Sequence, residues 1–335
     1  MKRLSVRAAA QTLRLAQPFR ISGYVFETAD VVTVTLDDGT HRGRGEGAGV
    51  YYLGDDVPHM LAAIEGARGA LEAGPSREAL RAILPPGGAR NAIDAALWEL
   101  EAARAGTSVA ALAGVGTPRP VRTTFTVSAD TPQAMAAVAR GYAGALAIKM
   151  KLTGELDLDI ERVRAVRDAR PEVWLGVDGN QGFDMGELDA LVPALVDQGV
   201  SLLEQPLRRG READLQGFKS PVPIAGDESI LSLEDVAAAP GRFDVINIKL
   251  DKCGGLTEGL LMAAEARRLG LGVMVGTMVC TSLGTAPGFV LGQLADLVDL
   301  DGPTFLAQDS APGVTYRDGM LFAGPEVWGS PAAFA

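Results

Sequence analysis

Residues 146–151 read Leu-Ala-Ile-Lys-Met-Lys, a short apolar run with lysines at its end, and this design recurs four more times along the chain. Runs of this length are typical of buried strands. The other four close on a carboxylate or a lysine, at Val177-Asp178-Gly179-Asn180, Glu204-Gln205-Pro206, Gly226-Asp227-Glu228-Ser229 and Asn247-Ile248-Lys249. The sequence therefore predicts strands whose carboxyl ends carry the polar side chains.

Eight strand-like segments from residue 121 onward alternate with helical stretches such as Leu156–Arg167. The segments are Val121–Val127, Leu146–Met150, Trp174–Val177, Ser201–Leu203, Val222–Ala225, Val245–Ile248, Gly272–Val275 and Leu297–Leu300. Eight β units with intervening helices favour a (β/α) barrel over an open sheet. The active site of such a barrel lies at the carboxyl ends of its strands, where the lysines and carboxylates fall.

The first third of the chain predicts a smaller α+β unit. Val31–Leu36 alternates apolar residues with Thr, as a half-buried strand does, and Asp37–Gly39 supplies a turn before a second arm at Arg42–Ala48. Helices are predicted over Val57–Leu71 and over Arg90–Ala105, which Gly106 ends.

The composition is typical of an enzyme from a reducing compartment. Acidic residues outnumber basic ones by 42 to 31, and a formal charge of −11 argues against nucleic acid or an anionic membrane as a partner. Cys253 and Cys280 form no CxxC pattern, so a disulfide framework is not expected. Arg7, Gln11 and Arg14 interrupt any signal peptide, and no apolar run approaches a membrane span. We therefore expect a cytoplasmic protein.

Three carboxylates close three successive predicted strands. Asp178, Glu204 and Asp227 follow one another at intervals of 26 and 23 residues, about one β/α unit each. A single acid at a strand end is usually a helix cap or a solvated loop residue. Three side by side would repel one another unless a cation neutralised them. Oxygen ligands of this kind suit a hard divalent cation such as Mg²⁺.

Three lysines complete the pattern. Lys149 and Lys151 are two residues apart on one strand, so both side chains leave the same face of the sheet. An isolated pair of this kind is usually a solvated basic edge, but an apolar run precedes it and Lys249 ends a later strand. Catalysis near neutrality requires a lysine pKa to fall from about 10.4 to about 7–8, and burial, a neighbouring lysine and a bound dication all act in that direction. The only histidines, His41 and His59, precede the barrel, which excludes a His-based triad or zinc site there.

Taken together, these residues resemble the enolase superfamily, in particular its muconate-lactonizing subgroup. The resemblance covers nearly the whole chain and includes the Trp98 helix, Glu204-Gln205-Pro206, and Ile248-Lys249 through Lys252-Cys253-Gly254-Gly255. It implies an α/β fold, a modified (β/α)7β TIM-like barrel with an N-terminal α+β capping domain. The implied divisions are a capping domain at 1–115 with lid loops near 19–27 and 50–56, a catalytic barrel at 116–310, and a C-terminal segment at 311–335 that packs back on the capping domain.

The same resemblance implies roles for the polar residues. It implies Mg²⁺ bound by Asp178, Glu204 and Asp227. It also makes Lys151 and Lys249 an acid/base pair on opposite faces of the substrate, with Lys149 tuning Lys151.

The segment Asp299-Leu300-Asp301-Gly302-Pro303 resembles the DxD signature of dipeptide epimerases within that subgroup. Two carboxylates spaced i, i+2 can grip a substrate ammonium together. The alternative is an acidic turn before Gly302. Residues 277–282 also resemble the epimerase segment after the seventh strand, and Thr124 and Met278 are expected beside the substrate.

The lid segments depart from the pattern of epimerases that act on L-Ala-L/D-Glu, which place an arginine in the middle of the first lid loop. Residues 19–27 carry Tyr24 and Phe26 there, and Arg20 lies at the start of the loop. Residues 50–56 add further aromatic and acidic side chains. We therefore expect a specificity other than strict Ala-Glu, with an apolar second residue or a cationic one that faces Asp55 or Asp56.

The leading hypothesis is an Mg²⁺-dependent dipeptide epimerase in which two lysines remove and return the α-proton of the second residue through an enediolate. A rival is another reaction of the subgroup: cycloisomerisation, N-succinylamino acid racemisation or o-succinylbenzoate synthesis. A rival of a different class is a catalytically silent metal-binding homologue. The expected partners are a small dipeptide substrate and further copies of the chain in a homo-oligomer, with no nucleic acid and no membrane.

Overall fold

The computed structural model describes residues 3–21 and 23–330; Ser22 of the first predicted lid loop and the end of the predicted C-terminal segment, 331–335, lie outside the described residues. The described chain forms an antiparallel three-stranded sheet with helices and, after it, an eight-stranded parallel sheet. Within the described ranges no helix combines the length and the apolar character needed to cross a membrane.

The N-terminal unit is built on a long β-hairpin whose inner face packs against one helix. Its strands pair in the order β1-β2-β3, all antiparallel. Buried residues of β2 such as Val32 and Val34 contact Ala92, Ile93 and Ala96 in one apolar cluster with α4. The elements are β1 (Ser5–Ile21), β2 (Tyr24–Asp37), β3 (Arg42–Gly47), α1 (Val57–Gly66), α2 (Arg68–Glu72), α3 (Arg77–Ile83), α4 (Gly88–Ala105) and α5 (Val109–Leu112).

The hairpin differs from the sequence-based expectation in one respect. Residues 19–21 and 24–27 are strand residues rather than a loop, because β1 pairs with β2 from Ser5↔Asp37 to Ile21↔Tyr24. Strand β1 lacks a clear alternating pattern, since most of its side chains are exposed on a two-strand ribbon. The predicted helix over Val57–Leu71 is also divided in two, at Ala67 between α1 and α2.

The eight-stranded parallel barrel confirms the predicted fold, and its strands neighbour one another in sequence order from β5 to β12. A 3₁₀ turn, Glu212–Leu215, takes the place of a helix between β8 and β9. In chain order the elements are β4 (Val121–Arg122), β5 (Thr124–Val127), α6 (Pro132–Gly141), β6 (Ala147–Lys151), α7 (Leu156–Ala169), β7 (Trp174–Asp178), α8 (Met185–Asp197), β8 (Leu202–Glu204), β9 (Ile224–Gly226), α9 (Leu233–Ala238), β10 (Val245–Lys249), α10 (Leu250–Cys253), α11 (Leu256–Arg268), β11 (Gly272–Gly276), α12 (Ser282–Gly292) and β12 (Leu297–Asp299).

Threonines of the first barrel segment connect it to the last strand. The hydroxyl of Thr123 accepts a hydrogen bond from the backbone N–H of Leu300 at 3.0 Å, at the point where the predicted strand 121–127 divides into β4 and β5. One residue on, the hydroxyl of Thr124 donates to Asp299, and the backbone N–H of Thr126 donates to Asp301 at 2.6 Å. The barrel is therefore closed around the end of the strand that carries both aspartates.

The end of the described chain contacts both units. Strands β13 (Thr315–Arg317) and β14 (Met320–Phe322) form a sheet with β4. Farther on, the indole of Trp328 donates to the carbonyl of Arg44 in β3 at 2.9 Å. Helix α4 joins the units elsewhere, because the indole of Trp98 donates to the hydroxyl of Thr257 in α11 at 3.0 Å.

Close approach of β3 to α4 requires glycine, and we expect Gly45→Ala to destabilise the protein by about 1–3 kcal/mol. A Cβ at Gly45 would lie 2.0 Å from the carbonyl oxygen of Ala92. Gly69→Ala in α2 is the matched control, because its Cβ would meet nothing within 4 Å and alanine favours a helix. Chemical denaturation of both variants measures the difference, and equal stabilities would show that β3 can move away from α4.

Candidate active site

Three buried carboxylates lie side by side at the carboxyl ends of β7, β8 and β9. Asp178 and Glu204 are paired residues at the ends of neighbouring strands, and Asp227 follows the last residue of β9. One oxygen from each lies within 4.8 Å of the others, and all three residues are fully buried. The strand register therefore brings together residues that the sequence spaces 23 and 26 positions apart.

Each of these carboxylates has one oxygen held from outside the cluster. The donors are the backbone N–H of Asn180 to Asp178 Oδ1 (2.9 Å), the amide of Asn247 to Glu204 Oε1 (2.7 Å) and the ammonium of Lys252 to Asp227 Oδ1 (2.6 Å). The second oxygen of each carboxylate contacts a lysine of the barrel interior. This division leaves three oxygens that face a common point.

The lysines occupy opposite walls of the barrel. Lys151 Nζ lies 2.6 Å from Asp178 Oδ2, and Lys249 Nζ lies 2.6 Å from Asp227 Oδ2. Their strands, β6 and β10, are four places apart in a ring of eight, so the two ammonium groups face each other across the carboxylates. Lys149 contacts Asp299 and approaches Glu204 Oε2 to 3.1 Å and Asp178 Oδ2 to 3.7 Å.

The carboxylates around Lys149 and Lys249 oppose the effect of burial on the pKa values of these two lysines. Burial disfavours the charged form of Lys149, but the carboxylates of Asp299, Glu204 and Asp178 outweigh burial and raise its pKa well above the ordinary value. Burial is likewise outweighed at Lys249, whose pKa is raised by Asp227 and Glu204. The sequence reveals a neighbouring lysine, but only the fold reveals how many carboxylates contact each ammonium.

The donor set fits a divalent cation. Burial and the charge of Asp178 raise the pKa of Glu204 to about 7, which is the repulsion expected of carboxylates packed together. Six buried carboxylates share the barrel mouth with four buried lysines, which is a formal excess of two negative charges when every group is ionised: Asp178, Glu204, Asp227, Glu228, Asp299 and Asp301 against Lys149, Lys151, Lys249 and Lys252. One dication balances that difference, and oxygen ligands are those that Mg²⁺ prefers. Buried oxygens of Asn180 and Glu228 also lack a hydrogen-bond partner, as expected beside a ligand site.

The two aspartates at the end of β12 differ in their surroundings. Both oxygens of Asp299 are engaged, one by the Thr124 hydroxyl and the other by Lys149. Asp301 accepts from the backbone N–H of Thr126 and lines the cavity above the strands. Burial and the charge of Asp299 raise the pKa of Asp301 to about 7. A cationic group bound beside Asp301 would relieve this repulsion.

A cavity of about 430 Å³ lies over these residues, between the barrel mouth and the N-terminal unit. Its floor includes Lys149, Lys151 and Lys249, and its walls include Phe26 and Met278. Strands β1 and β2 and the segment around residues 51–58 line the side of the cavity opposite this floor.

Other predicted substrate residues do not line the cavity. Tyr24 is 47% exposed and packs on rings that do, with its centroid 5.9 Å from Phe26 and 4.7 Å from Tyr51. Thr124 reaches the site only through Asp299. Arg20 pairs with Asp130 at 3.8 Å.

The structure adds residues to which the sequence analysis gave no role. Thr126 lines the cavity, and Asn247 holds Glu204. Asn247 could have been identified, because it lies two positions before Lys249 and so shares its face of the strand. The side chain of Gln205 accepts from the backbone N–H of Asp227 at 2.9 Å, and no local pattern indicates this contact.

Glu46 joins the N-terminal unit to the loop after β11. Its carboxylate accepts from the backbone N–H of Thr281 at 2.8 Å and from the Thr281 hydroxyl at 2.6 Å. Burial outweighs these contacts and raises the pKa of Glu46 to about 7. The loop held in this way includes Met278, so Glu46 positions one wall of the cavity.

Comparison with known proteins identifies relatives of both units. Residues 3–114 match the model of the mandelate racemase / muconate lactonizing enzyme N-terminal domain, and residues 132–323 match that of the enolase C-terminal domain-like family. The chain is 40% identical to an L-Ala-D/L-Glu epimerase of Escherichia coli K12, over 95% of this chain and 99% of that protein. It is 38% identical to an N-acetyl-D-glutamate racemase of a Pseudoalteromonas species, over 71% of this chain and 75% of that one.

A solved structure is also closely similar. It is an enolase family member from Agrobacterium tumefaciens with homology to dipeptide epimerases, crystallised with sodium and L-Ala-L-Glu. The TM-score is 0.93 at 40% sequence identity, and the match covers 97% of this chain and all of that one.

The raised pKa of Glu46 predicts a specific pH dependence of stability. A carboxyl group whose pKa is about 7 in the folded protein and 4.5 ordinarily stabilises the fold when protonated. Its contribution is complete below pH 4.5 and is lost as the pH rises toward 7. Glu46→Gln should therefore reduce the loss of stability between pH 5 and pH 8, by at most about 3 kcal/mol. Denaturant unfolding at pH 5 and pH 8 measures this loss of stability, with Glu27→Gln at an exposed position as the control. If Glu46→Gln lost as much stability between the two pH values as the wild type does, Glu46 would be ionised throughout.

Proposed function

This chain belongs to the mandelate racemase / muconate lactonizing enzyme family, and we propose that it epimerises dipeptides at the α-carbon of the second residue with Mg²⁺ as cofactor. An isomerase that acts on amino acid derivatives is the activity class of its relatives. The observation that carries the proposal is the placement of Lys151 and Lys249 on opposite walls, with three carboxylates between them and Asp301 beside them.

Asp178, Glu204 and Asp227 are the groups that would hold the cation. When bound, Mg²⁺ would attract the carboxylate of the dipeptide and stabilise the negative charge that develops there as the α-proton leaves. Buried carboxylates that face a common point and a charge difference of two support this assignment.

Lys151 and Lys249 would exchange the α-proton. A substrate carbon between β6 and β10 presents one face to each lysine, so one neutral lysine removes the proton and the other, protonated, returns one to the opposite face. Lys149 lies two residues before Lys151 and shares Asp178 with it, which places a fixed positive charge beside the acid/base group.

Asp301 and Asp299 would bind the ammonium group of the first residue. Asp301 faces the cavity, and Asp299 is held in place by Thr124 and Lys149. A free amino terminus therefore fixes the position of the peptide, and the second α-carbon is the one that lies between the lysines.

The lid argues against an acidic side chain on the second residue. Phe26, Tyr51 and Tyr52 line the lid side of the cavity together with Asp55 and Asp56. Among the described residues that line it, the only cationic side chains are the three lysines of the floor. A glutamate side chain would meet no cation among the described residues that line the lid side of the cavity, so we propose an apolar or aromatic second residue.

Racemisation of an N-acetylated amino acid is the second candidate, because one relative at 38% identity has that activity. Such a substrate has no ammonium group. The carboxylates of Asp299 and Asp301 would then face an uncharged acyl group, which their burial disfavours.

Incubation of an L,L-dipeptide library with the protein and Mg²⁺ in D₂O tests the proposed function. We expect a gain of one dalton in dipeptides with apolar or aromatic second residues, detected by mass spectrometry. Asp301→Asn should lower kcat/KM for these dipeptides by about 100-fold, because a charged hydrogen bond is lost. Exchange confined to Ala-Glu would contradict the assigned specificity. N-Acetylglutamate is incubated in parallel, and exchange in this compound alone, unaffected by Asp301→Asn, would establish the second candidate.

Lys151→Ala and Lys249→Ala test the assignment of the two lysines. Each variant should lose epimerisation by at least about 1000-fold, since both directions need both groups. Each should still exchange the α-proton of one epimer, and the two variants should retain opposite epimers, because the remaining lysine faces one side of the carbon. Proton NMR in D₂O with separate L,L and L,D substrates measures this. If one variant exchanged the α-proton of neither epimer while the other variant still exchanged it, the lost lysine would be the single catalytic base.

A further inference from the structure

Lys252 is a buried ammonium group that the proposed reaction does not use. Its side chain is 0% exposed, and the residue does not line the cavity. Only six of the 31 basic residues in the sequence are lysines, and four of the six are buried at this barrel mouth. The chain therefore uses arginine for most of its cationic groups and lysine where a compact charge meets the carboxylates.

All three donors of Lys252 are used. Its Nζ donates to Asp227 Oδ1 at 2.6 Å, to the carbonyl of Asn247 at 3.0 Å, and to the carbonyl of Asp227. An ammonium group has three N–H donors, so this group is fully satisfied and has no freedom to turn. It ties the end of β9 to β10 and fixes the rotamer of Asp227 relative to both strands.

This contact determines which oxygen of Asp227 faces the cluster. Lys252 occupies Oδ1 from the outer side, and Oδ2 is left toward Lys249. Asp178 and Glu204 are divided in the same way by the neutral donors of Asn180 and Asn247. Lys252 is the one charged donor of the three.

We propose that Lys252 is a positioning residue that presents a single oxygen of Asp227 to the divalent cation, so that metal affinity depends on it. Without Lys252, nothing would hold Oδ1 of Asp227, and the carboxylate could rotate so that neither oxygen keeps a fixed direction toward the cation. Removing a positive charge would by itself strengthen cation binding. Weaker binding in a variant therefore identifies orientation rather than charge as the cause. The inference rests on the metal site of the proposed function.

Calorimetric titration of Lys252→Met with Mn²⁺ and with Mg²⁺, in the absence of substrate, tests the proposal. We expect the affinity to fall about 10- to 100-fold, the usual effect of losing a group that orients a metal ligand. Lys219→Met is the matched control, because Lys219 is exposed and lies outside the strands that carry the carboxylates; the metal affinity of this variant should be unchanged. Unchanged or tighter binding in Lys252→Met would overturn the proposal.

Lys252→Gln keeps the test decisive where the methionine variant does not fold. An uncharged amide can still donate to Asp227, so its metal affinity should lie between those of the wild type and the methionine variant. Wild-type affinity, or failure of both variants to fold, would make Lys252 a purely structural residue.

The metal titration distinguishes failure of this proposal from failure of the proposed function. The titration contains no dipeptide, so its outcome does not depend on epimerase activity, whereas a wild-type protein that binds neither metal would contradict the metal site itself. At saturating metal, Lys252→Met should also recover most of its kcat, since Lys252 does not line the cavity. A kcat that stays low at every metal concentration would indicate a structural role.

Discussion

Mutual neutralisation of buried charges at the barrel mouth is the constraint on which the rest of the structure depends. Lys149 alone contacts Asp178, Glu204 and Asp299, which lie on three different strands. Removing one partner of a buried ion pair leaves an uncompensated charge, which is far more destabilising than losing an exposed pair. The strand ends must therefore keep their register for the charges to remain paired. Counted as ionised, the same network carries two more negative than positive charges, which supports the proposed divalent cation.

The residues that close the barrel are also those to which the proposed function assigns the ammonium group of the substrate. Asp299 and Asp301 accept hydrogen bonds from Thr124 and Thr126, which connect the last strand to the first. A substrate group bound there would contact the place where the first and last strands of the barrel meet. The outer donors to the metal-binding carboxylates have a similar double role, because Lys252 joins two strands while it orients Asp227. Residues that lie outside the cavity thus determine the geometry inside it.

The proposed function places chemistry and specificity on different parts of the chain. The lysines and carboxylates assigned to the reaction stand on strand ends in the barrel, whereas Phe26 and Tyr51 belong to the N-terminal unit that covers the cavity. The two parts are joined by buried carboxylates such as Glu46, which holds the loop that carries Met278. A change of side-chain preference can therefore arise in the hairpin without disturbing the reaction. The aromatic lid over an intact set of catalytic groups is consistent with such a change.

The sequence by itself determined the barrel, the order of its strands and the residues that end them, because burial of short apolar runs and the alternation of side chains are local properties. It also indicated Asp178, Glu204 and Asp227 as one group, since one β/α unit separates each from the next. Only the tertiary structure decided which oxygen each carboxylate presents, how many carboxylates surround Lys149, and that Lys252 holds Asp227. It also decided that residues 19–21 and 24–26 are paired strand ends of a hairpin and that Phe26 lies against Tyr51. These contacts join residues on different strands or in different units, and no local pattern encodes the partner of a side chain across such distances.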